Sequence, residues 1–491
     1  MREEGTFPRF LLTAGASGSG KTLLTCGILR VLKKRGLKVT SFKCGPDYID
    51  PMFHEKVLKT KSRNLDTFFT DEETTRWIFA ENAKEADVSV IEGVMGYYDG
   101  LGGISEKASA WDVARVTRTP AVLVVNAKGM SLSVLAYIRG YMSYRRDSYI
   151  KGVILNQMSA GLYGDMKKRI EEELGVRVYG YVPKLKEGVI ESRHLGLVTP
   201  GEIEGLTEKL EVLAKVLEES LDIDGLLLLA RSAKPLDGGM RQAKMAVPEK
   251  LKSLLCSERT AAVRREAPVI AVARDEAFCF VYEDNLQLLR KLGASIVEFS
   301  PIHDARIPEE ASGLLLYGGY PELYAAQLSE NGSMLTDIRE KIEGGLPCMA
   351  ECGGFMYLHR TMEDMDKREW PMAGVIDARA FRTERLGRFG YIVLQEEKAG
   401  ENLNPGDVQK AKDSQKPVDS QEIRGHEFHY FDSTDNGDCY IARKPLRKRS
   451  WKCIHKTDTL MAGFPHLYYY GAPSLAADFL EKCIYYKERK R

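Results

Sequence analysis

The sequence is short of the features that would tie it to a membrane, a nucleic acid or a disulfide-built scaffold. No uninterrupted apolar run approaches the ~20 residues that a membrane helix needs. The longest candidate, Gly225-Leu-Leu-Leu-Leu-Ala230, is far too short. An excess of charge of one sign is missing as well. Lys plus Arg number 71 and Asp plus Glu 70, a formal net charge of +1, which argues against a dedicated nucleic-acid binder and leaves only a local basic patch open. Paired cysteines are absent. Nine are scattered at 26, 44, 256, 279, 348, 352, 439, 453 and 483 with no CxxC pair, so no disulfide framework is expected and a reducing compartment is. Cys and His also lack the paired spacing of a zinc site. The N-terminus, Met1-Arg-Glu-Glu-Gly-Thr6, is acidic and runs straight into a strand, which does not read as a signal peptide. These absences point to a soluble cytoplasmic protein with no membrane or nucleic-acid partner.

What is present is an ordinary globular composition, 44% hydrophobic and 29% charged, in 491 residues. That length exceeds the ~250–300 residues at which single cores stop growing, so at least two domains are expected. Residues 9–240 alternate short apolar runs with helical stretches: Arg9–Ala14, Lys38–Phe42, Val88–Ile91, Ala121–Val125 and Gly152–Leu155 read as buried strands of a parallel sheet. A helix is expected over Lys21–Arg35, ended by Gly36. The composition changes over 231–267, which reads as a linker with one short helix near 248–256. A second α/β unit starts at Val269–Ala273 and continues with a helix over Asn285–Gly293 and strands at Ser295–Phe299 and Gly313–Tyr317. The polar stretch 399–421 reads as a surface loop inside it. The domain boundaries are therefore 1–230, 231–267 and 268–485.

Gly15-Ala-Ser-Gly-Ser-Gly-Lys-Thr22 matches GxxxxGK[ST] in full and lies between a predicted strand and a predicted helix. Gly15, Gly18 and Gly20 let the backbone wrap a phosphate, and the helix N-terminus adds the positive end of its dipole. Lys21 would reach the β- and γ-phosphates of ATP and Thr22 would hold Mg²⁺. Two carboxylates are candidate metal partners: Asp47, in Lys43-Cys-Gly-Pro-Asp-Tyr-Ile-Asp50 after the second strand, and Glu92, which ends the strand 88–91. The C-terminal edge of a parallel strand faces the ligand crevice of such a sheet. Lys43 would neutralise charge on a transferred phosphoryl group.

Pro347-Cys-Met-Ala-Glu-Cys-Gly-Gly354 reads as a strand ending abruptly in Cys352, followed by a helix over Phe355–Arg360. A strained strand-to-helix turn would expose the Cys352 thiol, two glycines would leave room for substrate, and the helix N-terminus would lower the thiol pKa. Cys348, on the strand itself, reads as core. A thiolate needs a base, and three histidines lie downstream: His426, His429 and His466. Spacing does not choose among them, because nucleophile and base meet in space.

Taken together, these motifs resemble one family over nearly the whole chain. They are the phosphate loop, Lys43–Pro51, Glu92-Gly-Val-Met-Gly-Tyr-Tyr-Asp-Gly100, Ser192-Arg-His-Leu-Gly-Leu197, Ala273–Phe278, Gly318-Gly-Tyr-Pro-Glu322, Ala350–Gly354 and Arg424-Gly-His-Glu-Phe-His429. The sequence is similar to the cobyrinic acid a,c-diamide synthases, glutamine-dependent amidotransferases of corrinoid biosynthesis. The resemblance implies an α/β protein with an N-terminal P-loop parallel-sheet domain like dethiobiotin synthetase, followed by a class I glutamine amidotransferase-like α/β domain. It implies ATP, Mg²⁺ and glutamine as ammonia donor, a corrinoid substrate phosphorylated on a peripheral carboxylate, and displacement of that phosphate by ammonia. It makes Cys352 the glutaminase nucleophile and His466 its base, with His426 and His429 structural or lining the glutamine pocket. A homodimer through the ATPase half would suit the fold.

The sequence departs from the family pattern in places. Tyr468 stands where the family has a second His, Phe464 and Pro465 also differ, Cys44 replaces Val, Tyr317 replaces Gly, and Trp111 enlarges its segment. Two sister readings share the domain pair, cobyric acid synthase and nickel-sirohydrochlorin a,c-diamide synthase. Arg424–His429 and Lys43–Pro51 favour the a,c-diamide synthases over the first and do not separate the second. A non-enzymatic partitioning-type ATPase would carry a signature lysine where Ala16 or Ser17 stands, and would have no use for an amidotransferase half.

Overall fold

The apolar run ahead of the glycine-rich segment forms β1 (Arg9–Ala14), buried along its whole length at the middle of a sheet. The computed structural model describes residues 6–185, 205–236, 248–397 and 422–490. The motif 192–197 and the stretch 399–421 thus lie outside the described residues. The chain divides into two compact units, Met1–Pro248 and Glu249–Arg491.

Among the described residues, the first unit is built on a seven-stranded sheet. After β1 come β2 (Val39–Cys44), β3 (Lys61–Leu65), β4 (Val88–Glu92), β5 (Ala121–Asn126), β6 (Ile150–Asn156) and β7 (Arg177–Val182). Their order is β3-β2-β4-β1-β5-β6-β7, every neighbouring pair parallel. The apolar strands are central, as expected for strands covered on both faces. β3 and β7 were not read as strands from the sequence, and both are edges. β3 (KSRNL) has almost no apolar content; its buried Ser62 and Asn64 bond instead to the Ser41 hydroxyl and the Gly45 carbonyl. The register matters for the site. Lys43 and Leu12 both lie level with Glu92, so adjacent strands deliver their end groups to one edge.

Helix α1 (Lys21–Lys34) follows β1, opened by Gly20 and closed ahead of Gly36, both at positive φ (92° and 79°). A second constraint closes this unit. Arg9 is fully buried, and its guanidinium donates to the carbonyls of Phe7 (2.8 Å), Thr117 (2.7 Å) and Lys234 (2.5 Å) and to the Thr119 hydroxyl (3.1 Å). A buried cation is tolerated here because carbonyl oxygens replace its water.

In the second unit, β8 (Val269–Ala273), β9 (Ser295–Phe299), β10 (Gly313–Leu316) and β11 (Cys348–Glu351) join strand Leu460–Gly463 in a parallel sheet, edged by the antiparallel pair His455–Lys456. A separate antiparallel sheet includes Arg388–Glu396, Ile423–His429 and His466–Leu467, with His426 directly opposite His466. The expected linker carries more structure than its composition suggested. Helices Glu249–Leu255 and Glu258–Glu266 occupy its C-terminal part. The second is capped by Ser257, which accepts from the Thr260 N–H, and its Arg259 forms ion pairs with Asp478 and Glu481 of the C-terminal helix. A mixed-charge run that reads as linker is here a paired helix face. No helix among the described residues is long and apolar enough to cross a membrane.

The Arg9 cluster yields a stability test. Arg9→Met leaves several buried carbonyls without donors and is expected to destabilise the first unit by about 2–4 kcal/mol, read as a lowered denaturant midpoint. An unchanged midpoint would show that water satisfies those carbonyls.

Candidate active sites

The phosphate loop spans the β1-to-α1 turn. Gly18 and Gly20 sit at φ 74° and 92°, which L side chains rarely adopt. Gly15 is needed for space: a Cβ there would meet the Tyr137 hydroxyl at 1.8 Å and the Tyr141 hydroxyl at 2.5 Å. Lys21 folds back over the loop and donates to the carbonyls of Ala16 (3.0 Å) and Met95 (2.6 Å). Burial, with Lys43 nearby, lowers its pKa to about 8.

At the foot of α1, Thr22 donates its hydroxyl to Glu92 Oε1 (2.6 Å), with Asp50 Oδ2 at 3.4 Å. The Lys43 ammonium bridges the same two carboxylates, 2.7 Å from Glu92 Oε1 and hydrogen-bonded to Asp50. Burial works against the charge on Lys43, but Asp50, Glu92 and Asp47 together hold its pKa well above the ordinary lysine value. Burial and the neighbouring Glu92 raise Asp50. The sequence reading paired Asp47 with Thr22 and Glu92; the structure puts Asp50 there. Asp47 turns its Oδ1 to the backbone N–H groups of Ile49 (2.9 Å) and Asp50 (3.2 Å), starting the helix Ile49–Lys56, and its other oxygen stands 3.8 Å from Lys43.

This donor set fits Mg²⁺. A hydroxyl and two carboxylates are hard oxygen donors, and Mg²⁺ takes one or two protein carboxylates and completes its shell with water and phosphate oxygens. Glu92 Oε2 has no hydrogen-bond partner among the described residues. It lies 3.7 Å from Nε2 of His54, a fully buried imidazole whose Nδ1 is 3.1 Å from the Ser41 hydroxyl. Burial lowers His54 to about 4, so it stands neutral beside the cluster.

The second site lies at the end of β11. Cys352 has φ 49° and ψ −105°, a strained conformation for a non-glycine residue. It is held by its N–H to the Gly463 carbonyl (2.8 Å) and by its carbonyl to the Met356 N–H (2.9 Å). The two glycines that follow are needed for close packing: a Cβ on Gly353 would lie 2.9 Å from Pro321 Cδ, and one on Gly354 2.0 Å from the Leu316 carbonyl oxygen. The elbow expected from the sequence is therefore present, with two differences. Its helix is Gly353–Tyr357, five residues, and His359–Glu363 is a strand. The thiol pKa is raised rather than lowered, by burial and then by Glu322, because so short a helix offers little dipole against desolvation.

The structure brings His466 to this elbow. A Cβ on Gly318 would be 2.6 Å from His466 Cε1 and 3.4 Å from Cys352 Cβ, so the Cys352 Cβ and the imidazole flank one point above the glycine. His426 stacks on His466 with ring centroids 4.8 Å apart, and His429 stacks on Phe464 at 4.0 Å while pairing with Glu427 at 3.0 Å. Of the three histidines, His466 is the one whose ring lies beside Cys352 Cβ around Gly318. Tyr317 is buried, its hydroxyl donating to that of Tyr469 (3.3 Å). Trp111 donates its indole N–H to the Asp147 carbonyl (3.0 Å).

Known proteins match this sequence over nearly its whole length. Residues 10–196 match the CobQ/CobB/MinD/ParA nucleotide binding domain and residues 269–469 the CobB/CobQ-like glutamine amidotransferase domain. A cobyrinate a,c-diamide synthase of Caldanaerobacter subterraneus subsp. tengcongensis is 39% identical over 479 residues, 96% of this chain and 98% of the relative. Proteins of the same name from Listeria innocua and Thermoplasma volcanium are 36% and 35% identical, covering 95% and 98% of this chain and 97% and 99% of their own. The chain belongs to the cobyrinate a,c-diamide synthase family. As a member of that family it is a carbon–nitrogen ligase that takes its nitrogen from glutamine. It joins a nucleotide-binding unit and a glutamine amidotransferase unit in one α/β polypeptide.

Three residues of these sites escaped the sequence reading. Asp50 and His54 stand one helical turn apart, a spacing that puts both on one face, and that was the available signal. Glu351 sits beside Cys352 in sequence, but nothing in the sequence tells which side chain it will meet. The elbow geometry can be tested at Gly318. Gly318→Ala drives a methyl group into a buried, stacked imidazole and is expected to lower glutamine-dependent activity at least about tenfold while ammonia-dependent activity stays within about twofold. Full activity in the variant would mean that His466 can move aside without loss.

Proposed function

We propose that this chain amidates the a and c carboxylates of cobyrinic acid, using ATP to activate each carboxylate and glutamine to supply the ammonia. The observation that carries the reading is the pairing, in one chain, of a phosphate loop backed by Thr22, Asp50 and Glu92 with a strained Cys352 elbow facing His466. A carboxylate is a poor electrophile, so activation must precede amide formation. The loop amides from Gly15 to Lys21 cradle the phosphates of ATP, Lys21 reaches the β- and γ-phosphates, and Lys43 neutralises the phosphoryl group in transit. Thr22, Glu92 and Asp50 would hold Mg²⁺, which would supply positive charge to the phosphates. A carboxylate oxygen of the macrocycle attacks the γ-phosphorus, the bond to ADP breaks, and an acyl phosphate results.

Ammonia comes from the other unit. Cys352 gives its thiol proton to His466, its sulfur attacks the side-chain amide carbon of glutamine, and the proton passes on to the departing ammonia. Water then hydrolyses the γ-glutamyl thioester to glutamate and frees the thiol. Ammonia attacks the acyl carbon of the acyl phosphate, phosphate leaves, and the nitrogen loses a proton to give the amide. Making ammonia locally matters because free ammonia is mostly protonated near neutral pH.

The test is incubation of the protein with Mg-ATP, glutamine and cobyrinic acid, following the macrocycle by mass spectrometry. Two successive amidations are expected. Turnover on nickel-sirohydrochlorin in place of cobyrinic acid would keep the chemistry and overturn the substrate. Asp50→Asn should lower ATP-dependent amidation at least about 100-fold, measured with ammonia as donor. A larger loss for Asp47→Asn than for Asp50→Asn would reverse the assignment of the metal-facing carboxylate.

A further inference from the structure

Burial makes the first step at Cys352 difficult. Cys352 and His466 are 7% and 2% exposed, and burial pushes the thiol pKa up and the imidazole pKa down to about 3. Passing the thiol proton to the imidazole creates two charges where water is scarce. A base in such a site is ordinarily oriented and stabilised by a third group, as in the Ser-His-Asp arrangement.

The groups around His466 narrow the choice. Tyr468, two residues further on, donates its hydroxyl to Asp284 Oδ2 (2.9 Å) and is thereby engaged with the helix Glu283–Leu292. His426, stacked on the ring face, and His429, on Phe464, bring no negative charge. Glu427 is committed elsewhere, Oε2 to His429 (3.0 Å) and Oε1 to the Trp451 indole N–H (3.2 Å). Glu351, the last residue of β11, remains. Its Oε2 lies 3.9 Å from His466 Nδ1 and accepts from the Leu467 N–H at 3.3 Å. Its Oε1 has no hydrogen-bond partner among the described residues.

We propose that Glu351 is the positioning carboxylate of the glutaminase site, holding the His466 segment through the Leu467 N–H and stabilising the His466 imidazolium across its Nδ1 edge. This rests on the reading of Cys352 as nucleophile and His466 as base. The 3.9 Å separation is an electrostatic contact in the ligand-free chain; such contacts tighten when the imidazole becomes charged. Glu351 acts as its carboxylate and does not carry the transferred proton. The proton leaves the thiol, rests on His466 and departs on ammonia. Burial raises Glu351 to about 8 against the lowering by the Leu467 N–H, so the carboxylate form that this role requires prevails above about pH 8. The arrangement places the nucleophile and the group that steadies its base on consecutive residues at the end of β11.

Glu351→Gln separates this role from packing. The amide oxygen can still accept from Leu467, and the volume is nearly unchanged, but the negative charge is gone. In the full-length protein with Mg-ATP and cobyrinic acid, kcat for glutamine-dependent amidation is expected to fall at least about 100-fold. The KM for glutamine should stay within about threefold and ammonia-dependent amidation within about twofold. Wild-type kcat with glutamine would overturn the proposal. So would an equal fall with ammonia, because Glu351 would then be a packing residue. Cys352→Ala runs in parallel and should lose the glutamine reaction while keeping the ammonia reaction. If it keeps the glutamine reaction, the nucleophile assignment itself fails, whatever Glu351→Gln does.

Discussion

Both sites stand where a buried parallel strand stops and a helix has to begin. At that junction the backbone leaves the sheet ladder before helical hydrogen bonds take over, so several N–H groups face outward and side chains at strand ends crowd one edge. In the first unit the β1-to-α1 turn meets this constraint with glycines and leaves its amides for phosphate. In the second unit the β11 turn meets it with a cysteine in strained geometry. The neighbouring strands then complete each site: Lys43 and Glu92 arrive level with one another from β2 and β4. The chain leaving strand Leu460–Gly463 carries His466 back to the elbow, and the Gly463 carbonyl holds the Cys352 N–H.

The two sites handle charge in opposite ways. The phosphate site concentrates it: a buried ammonium is bracketed by Asp50 and Glu92, a threonine hydroxyl joins them, and a neutral imidazole sits behind. Such a site suits a ligand that brings several charges of its own. The thiol site is built of groups that burial drives towards neutrality, Cys352, His466 and Glu351 alike. Its substrate has an uncharged side-chain amide, and the thiolate and imidazolium charges need to appear there only for the duration of the reaction.

Much of this was legible in the sequence because strong local signals coincided. The apolar runs of β1, β4 and β5 are central strands and had to be apolar on both faces. The glycines of the phosphate loop and of Cys352-Gly353-Gly354 mark places where a Cβ has no room or the wrong φ. The edge strand β3 was less readable, since an edge can replace apolar burial with polar pairing, as Ser62 and Asn64 do. Helix Glu258–Glu266 was hidden by its charge, whose partners lie more than 200 residues away. Knowing that Asp50 rather than Asp47 stands beside Thr22, or that Glu351 lies beside His466, requires knowing which way a backbone turns within three or four residues. Composition and spacing carry no such information.

The Arg9 cluster bears on how the polypeptide could be divided. One guanidinium joins the opening strand of the first unit to the carbonyl of Lys234, close to that unit's last described residues. Beginning and end are pinned to each other by a group that belongs wholly to this half. A gene cut downstream of Lys234 and ahead of the helix Glu249–Leu255 would therefore separate the coding regions without opening the knot. In that sense the first unit carries its own closure, tied by a contact made entirely of its own residues.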